Sequence, residues 1–163
     1  MILIKPSYEI LAINGADLLL MEQAGRTCYK SESKGDPATF LQGKIKSKHL
    51  TIIEHGSMTV KFIVDRGFTH ELVRHRMAVY SQESTRWCNY SGGVTFIIPP
   101  WIRMDEGEYY RNTDIWFNDP SNELSWLRSL YQAEETYINL LDNGWTPQQA
   151  RKSYPIVLKR KSL

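Results

Sequence analysis

The sequence predicts one α+β domain over residues 1–163, a small antiparallel sheet flanked by helices. Three observations carry that expectation. Met58, Val60, Phe62 and Val64 alternate with Thr59, Lys61 and Ile63, the period-two pattern of a half-buried strand. Leu124, Leu127, Tyr131, Ile138 and Leu141 recur at helical spacing over about residues 121–142. No repeat, low-complexity tract or linker divides the chain, and 163 residues are enough for one real core.

Composition narrows the class. An apolar fraction of 42% is ordinary for a folded protein, and the formal charge is only +2. Wholesale coating of nucleic acid normally shows a strong basic excess, so no nucleic-acid partner is expected. Cys28 and Cys88 do not make a disulfide framework and fit a reducing compartment. Met1–Ile4 is too short an apolar run for a signal peptide, and no stretch reaches membrane-spanning length. A cytoplasmic protein without a membrane partner is the expectation.

The elements run in order along the chain. Residues 1–4 are apolar, and Pro6 limits them to a short strand at a sheet edge. From Ala16 to Tyr29, Leu19, Leu20, Gln23, Ala24 and Thr27 mark an amphipathic helix, with Cys28 as a small buried hydrophobe near its end. Asp36-Pro37 resembles an N-cap with proline at N1, opening a helix from Ala38 to about Lys48. Asp65-Arg66-Gly67 turns the strand at 56–65 into a helix through Phe68–Arg76. Val94–Ile98 reads as a short strand stopped by Pro99-Pro100, and residues 101–119 as a loop with helical turns. The long helix ends at Asn143-Gly144. Thr146-Pro147-Gln148-Gln149 then opens another, with cap, N1 proline and capping-box glutamine, and that helix carries Arg151.

The chemistry concentrates between Glu71 and Arg86. On a helix, Glu71, Arg74 and His75 share one face, and Tyr80, Ser81, Gln82 and Ser84 then favour irregular backbone. A rigid element thus delivers cations to a polar loop, which suits an anionic heteroaromatic ligand. Ser84 with His75 admits a hydrolase, yet no acid is placed to orient the histidine. His49, Glu54 and His55 suggest a metal, yet no further ligand comes at usual spacing, so no metal is assigned. No Gly-rich phosphate loop, Gly-x-Ser-x-Gly elbow or CxxC pair is present.

Arg74-His75-Arg76, seven residues and then Ser84, with Arg86 two further on, resembles the signature of flavin-dependent thymidylate synthases. His49-Leu-Thr51-Ile-Ile-Glu54-His55 and Tyr80–Trp87 resemble them too, and the likeness covers roughly residues 8–158. It implies a thymidylate synthase-complementing-protein-like fold and reductive methylation of dUMP to dTMP. FAD would be the cofactor, NADPH the reductant and methylenetetrahydrofolate the carbon donor. By position, Thr51, Arg74, His75, Arg76 and Gln82 would hold FAD, with His49 near flavin and folate. Glu71, Arg74, Gln82, Glu83, Ser84, Arg86 and Arg151 would surround dUMP, with Arg86 and Arg151 on its phosphate. The likeness implies a homotetramer with shared sites. It requires no cysteine nucleophile, so Cys88 need not be catalytic, and the catalytic residue is left unassigned.

The chain departs from the pattern in places. Val79 stands where many members carry Ser, Ser81 where many carry Asn, and Gln82 where some carry Glu. Family members often have a hydroxyl or thiol near the flavin at the position of Cys28. After Arg151 the family continues into flavin-binding Asn and Arg residues and an arginine that polarises the uracil. Here Pro155–Leu163 shows nothing similar, which reads as truncation, divergence or an unrelated basic ending. The alternative function is therefore a catalytically impaired nucleotide- or flavin-binding homologue.

Overall fold

The computed structural model describes residues 1–15, 18–110, 121–155 and 157–163. Its contacts divide the chain into two compact units, Met1–Tyr8 with Lys61–Leu163, and Glu9–Val60.

The first unit is built on strand β1 (Ile2–Ile4), which pairs in parallel with β4 (Thr95–Ile97) and antiparallel with β5 (Gly107–Glu108). β1 is therefore the middle strand, not an edge. Pro6 lies beyond it rather than interrupting it, so every N–H of the three-residue strand remains available to the ladders. The parallel pair also departs from the antiparallel sheet expected. In register, Leu3 stands opposite Phe96, and both are fully buried. The second half of β3 (Ser57–Asp65) pairs antiparallel with β6 (Lys159–Ser162), placing Val64 opposite Arg160. A bridge between Phe96 and Leu158 joins this pair to β4.

Helix α4 (Asn122–Asp142) closes the core. Ser121 caps it by accepting from Leu124 N–H, and Gly144 at φ 84° ends it in the left-handed conformation open to glycine. Its buried line is Leu127, Leu130, Glu134 and Tyr137. Leu124, Tyr131, Ile138 and Leu141 flank that line half-buried. The expected stripe is thus displaced by a fraction of a turn, because a carboxylate occupies one core position. Glu134 is held there by Val94 N–H at 2.8 Å. Around Tyr137 the core stacks Tyr154 at 4.4 Å between ring centroids, with Tyr90 edge-on to Tyr154 at 5.9 Å.

The second unit packs α1 (Leu19–Thr27), α2 (Pro37–Lys46) and a 3-10 turn, Leu50–His55, with β2 (Ser7–Asn14) beside the first half of β3. Asp36 caps α2 as expected, and the hydrogen bond from Thr39 N–H lowers its carboxyl below the usual range. The helix expected from Ala16 begins at Leu19, while Ala16 itself lies outside the described residues. Its buried side is Glu22 and Gly25, and Leu19 and Leu20 face outward. Gly25 explains this, because a Cβ there would come within 3.0 Å of the Phe40 ring and 3.3 Å of Ile52. Cys28 is exposed rather than buried, since it comes after the last helical residue, and its thiol donates to Ala24 O at 3.8 Å.

Glu22 yields a pH prediction. It accepts from Arg26 Nε at 2.6 Å and from Ser33 Oγ at 2.8 Å, and these two bonds, Arg26 first, hold its carboxyl below the ordinary glutamate value. A depressed folded-state value stabilises the fold above the unfolded value, about pH 4.3, and is lost as pH falls through the folded value. Wild type should therefore exceed Glu22→Gln in denaturant midpoint at pH 6, with the gap closing on acidification below about pH 4. A gap independent of pH would show that the ion pair contributes nothing.

Candidate functional site

Helix α3 (Arg66–Leu72) starts the site, capped by Asp65, whose carboxylate accepts from Phe68 N–H at 2.8 Å. It stops at Leu72 rather than running to Arg76. The last amides bend back, Arg74 N–H to Glu71 O at 3.0 Å and His75 N–H to Leu72 O at 3.1 Å, which tightens the end into turns. Arg74, His75 and Arg76 therefore stand exposed on a turn, not along one helical face. Glu71 still meets Arg74, Oε2 to Nε at 3.5 Å, with both side chains about three-quarters exposed. Such an exposed pair stabilises little and leaves the guanidinium open to a stronger anion.

Two bonds lead from that turn into the loop. Tyr80 Oη donates to His75 O at 3.0 Å, and Gln82 Nε2 donates to Thr69 O at 3.4 Å, tying the loop to α3. Ser84 Oγ accepts from Arg86 N–H at 3.3 Å, and Ser84 O accepts from Trp87 and Cys88 N–H at 3.2 and 2.9 Å. Ser84 Oγ thus accepts from an amide of its own turn, and among the described residues no imidazole is bonded to it, so the geometry lends a hydrolase no support.

Arg151 comes to this turn from 66 residues away, donating Nη1 to Thr85 Oγ1 at 3.2 Å and Nε to Gln148 O at 3.2 Å. The structure therefore sets Arg151 against buried Thr85, the residue between Ser84 and Arg86 in the turn. Helix α5 (Pro147–Ala150) has the expected capping box and N1 proline, but it ends before Arg151, which opens a 3-10 turn. The position of Arg151 is set by the bond to Thr85 rather than by the helix expected to carry it. Thr51 belongs to the other unit, exposed on the 3-10 turn Leu50–His55 next to His49. Among the described residues no three His, Cys, Asp or Glu side chains converge as a metal site.

The basic ending is part of this architecture. Ser81 and Leu163 exchange both backbone hydrogen bonds, at 2.9 and 2.8 Å, and Gln82 bridges Ser162. β6 thus has β3 on one side and the motif loop on the other. Glu83 accepts from Tyr90 Oη at 2.7 Å and lies 3.4 Å from Lys159 Nζ. Arg160 Nη2 donates to the Glu83 carbonyl. Burial, then the Glu83 bond, raises the Tyr90 phenol far above its ordinary value and keeps it a donor. Burial, then the Arg66 charge, lowers the Arg160 guanidinium. Lys159, Arg160 and Tyr90 were missed from the sequence. The signal lay in the strand-length run Leu158–Ser162 just after Pro155.

With this geometry in place, comparisons decide the family. The model of the thymidylate synthase complementing protein family matches residues 9–162. The chain belongs to that family. This family member is 39% identical over 104 residues to the flavin-dependent thymidylate synthase of Mycobacterium sp. strain JLS, covering 60% of this chain and 40% of that protein. It is 37% identical over 92 residues to the Mycobacterium tuberculosis protein of the same name, covering 53% and 36%. The chain thus spans about two fifths of the length of the curated relatives it matches. Among solved structures, the UMP/dUMP methylase PolB from Streptomyces cacaoi, bound with 5-Br dUMP, superposes with TM-score 0.78 at 24% identity. That match covers 99% of this chain and 73% of the other, and it shows a shared fold.

Proposed function

We propose that this chain takes part in flavin-dependent methylation of dUMP to dTMP, with methylenetetrahydrofolate as carbon donor and NADPH as reductant. The observation that carries the reading is Arg151 on Thr85, which places a guanidinium beside the turn of Ser84 and Arg86. Two arginines at one turn suit a phosphate, because each planar fork matches phosphate oxygens in a way lysine does not. In this reading Arg86 and Arg151 hold the dUMP phosphate, Ser84 accepts or donates at its edge, and Gln82, Glu71 and Arg74 orient the base. Glu83, whose carboxylate is engaged by Tyr90 and Lys159 and whose N–H and carbonyl are engaged by β6, serves the substrate through the turn it enters.

The donor set also fits FAD. Arg74, His75 and Arg76 form an exposed cationic turn suited to a diphosphate, with Gln82 beside it, and Thr51 is assigned to the same cofactor. When bound, the flavin supplies the redox chemistry, while the protein binds, orients and excludes water. Both compact units together form one domain in this reading, since the matched residues run through both. A homotetramer fits the apolar side chains that the Glu9–Val60 unit leaves exposed, including Ile10, Leu11, Ile13, Leu19 and Met58. No described helix is long and apolar enough to cross a membrane, and a cytoplasmic setting without nucleic-acid partners is proposed.

The test is direct. Purified protein should carry flavin absorption and form dTMP from dUMP when methylenetetrahydrofolate and NADPH are supplied. Flavin and dUMP binding without dTMP would select the catalytically impaired homologue. Neither flavin nor dUMP binding would overturn the reading.

A further inference from the structure

Every polar group of Glu83 is engaged. Its N–H donates to Lys161 O at 2.8 Å, its carbonyl accepts from Arg160, and its carboxylate meets Tyr90 Oη and Lys159 Nζ. Three of those four partners come from consecutive residues of β6. Successive side chains of a strand leave on opposite faces, so Lys159 and Arg160 grip Glu83 from two directions. Arg160 is partly buried, and its Nε is buried with no hydrogen-bond partner among the described residues. An arginine on a solvated face would not bear that desolvation; here it is retained together with a bond to one backbone carbonyl.

Directly after Glu83 comes the turn on which Ser84 and Arg86 stand. That turn closes on itself through Ser84, and Thr85 receives Arg151. Its direction depends on how firmly the peptide entering it is fixed. We propose that Arg160, assisted by Lys159, is a positioning residue that aims the Ser84–Arg86 turn by holding Glu83. The ligand half of this inference rests on the dUMP reading above, whereas the positioning half is measurable without ligand.

Amide exchange tests it in the intact chain. In Arg160→Ala the Trp87 and Cys88 amides, bonded to Ser84 O, should exchange about tenfold faster, the scale of one ordinary hydrogen bond. Ile98, bonded to Ile4 O in the other sheet, should not change. Arg160→Lys should restore most of the protection, and Lys161→Ala, which alters an exposed side chain, should match wild type. The dUMP Kd should rise about tenfold in Arg160→Ala alone, with flavin Kd within about twofold. Unchanged exchange at 87 and 88, or an equal rise at Ile98, would overturn the positioning role. Should Arg160→Ala fail to fold, Lys159→Ala decides, because wild-type exchange at 87 and 88 there would also overturn it. Local acceleration in a wild-type background that binds no dUMP would support positioning while removing the nucleotide reading.

Discussion

Arg151→Ala should weaken dUMP binding by about 1.5–3 kcal/mol, roughly ten- to a hundredfold in Kd, the range for hydrogen bonds to charged groups. The reason is geometric. Arg151 is held by Gln148 O and Thr85 Oγ1, which set the guanidinium plane against the turn of Ser84 and Arg86. Removing it deletes one of two cations proposed for the phosphate and frees the Thr85 hydroxyl. Arg151→Lys should recover little, since a point charge cannot reproduce a planar fork. Flavin affinity should stay within about twofold, because Arg74, His75 and Arg76 occupy a different turn. Calorimetric titration of dUMP and FAD into each variant checks both halves. Equal dUMP affinity in wild type and Arg151→Ala would remove Arg151 from the site.

Tyr137→Ala should destabilise the chain by about 3–5 kcal/mol, the cost typical of deleting a fully buried aromatic ring. Tyr137 has no solvent exposure and stacks on Tyr154, and its hydroxyl oxygen accepts from Tyr90 N–H at 3.4 Å. Tyr137→Phe keeps the ring and loses the hydroxyl with that bond, so about 0.5–1.5 kcal/mol is expected. Urea unfolding at equal temperature measures both. A loss under about 1 kcal/mol for alanine would mean that neighbouring rings collapse into the space, contrary to the usual partial relaxation of cores. Because Tyr90 joins this stack to Glu83, Tyr137→Ala should also weaken dUMP binding more than Tyr137→Phe does.

Local signals were legible where a few neighbouring residues decide the outcome. The cap at Asp36, the Asn143-Gly144 stop and the capping box at Thr146 all act within one turn, and the chain obeys each. The two-residue spacing of Ser84 and Arg86 similarly fixes them to one turn. Partnership between distant residues was not legible. Nothing near Ile2 reveals a parallel neighbour at Thr95, so the strand expected at an edge lies in the middle. In α1, glycine and a paired glutamate face inward while leucines face out, an arrangement set by Phe40 and the Arg26–Glu22 bond rather than by helical period. For residues 101–119, expected as a loop, Gly107–Glu108 instead form the short strand β5, and residues 111–119 lie outside those described. The basic ending lacked any likeness to the resembled family, yet its strand pairing depends on backbone groups that every residue carries.

The position of β6 between β3 and residues 81–83 has a consequence for the order of folding. Glu83 and Arg160 are 77 residues apart, so the Glu83 anchor of the loop that bears Ser84 forms by closing a long stretch of chain, unlike the short-range bonds to α3. Each doubling of such a stretch costs only about 0.6 kcal/mol in closure entropy, yet contacts of this separation form slowly compared with helical turns. Helix α4 and its caps need only near neighbours and can form early. The Ser84–Arg86 turn acquires its anchor last, so a stalled or pulse-labelled chain lacking residues 159–163 should show a protected α4 and unprotected amides at Trp87 and Cys88.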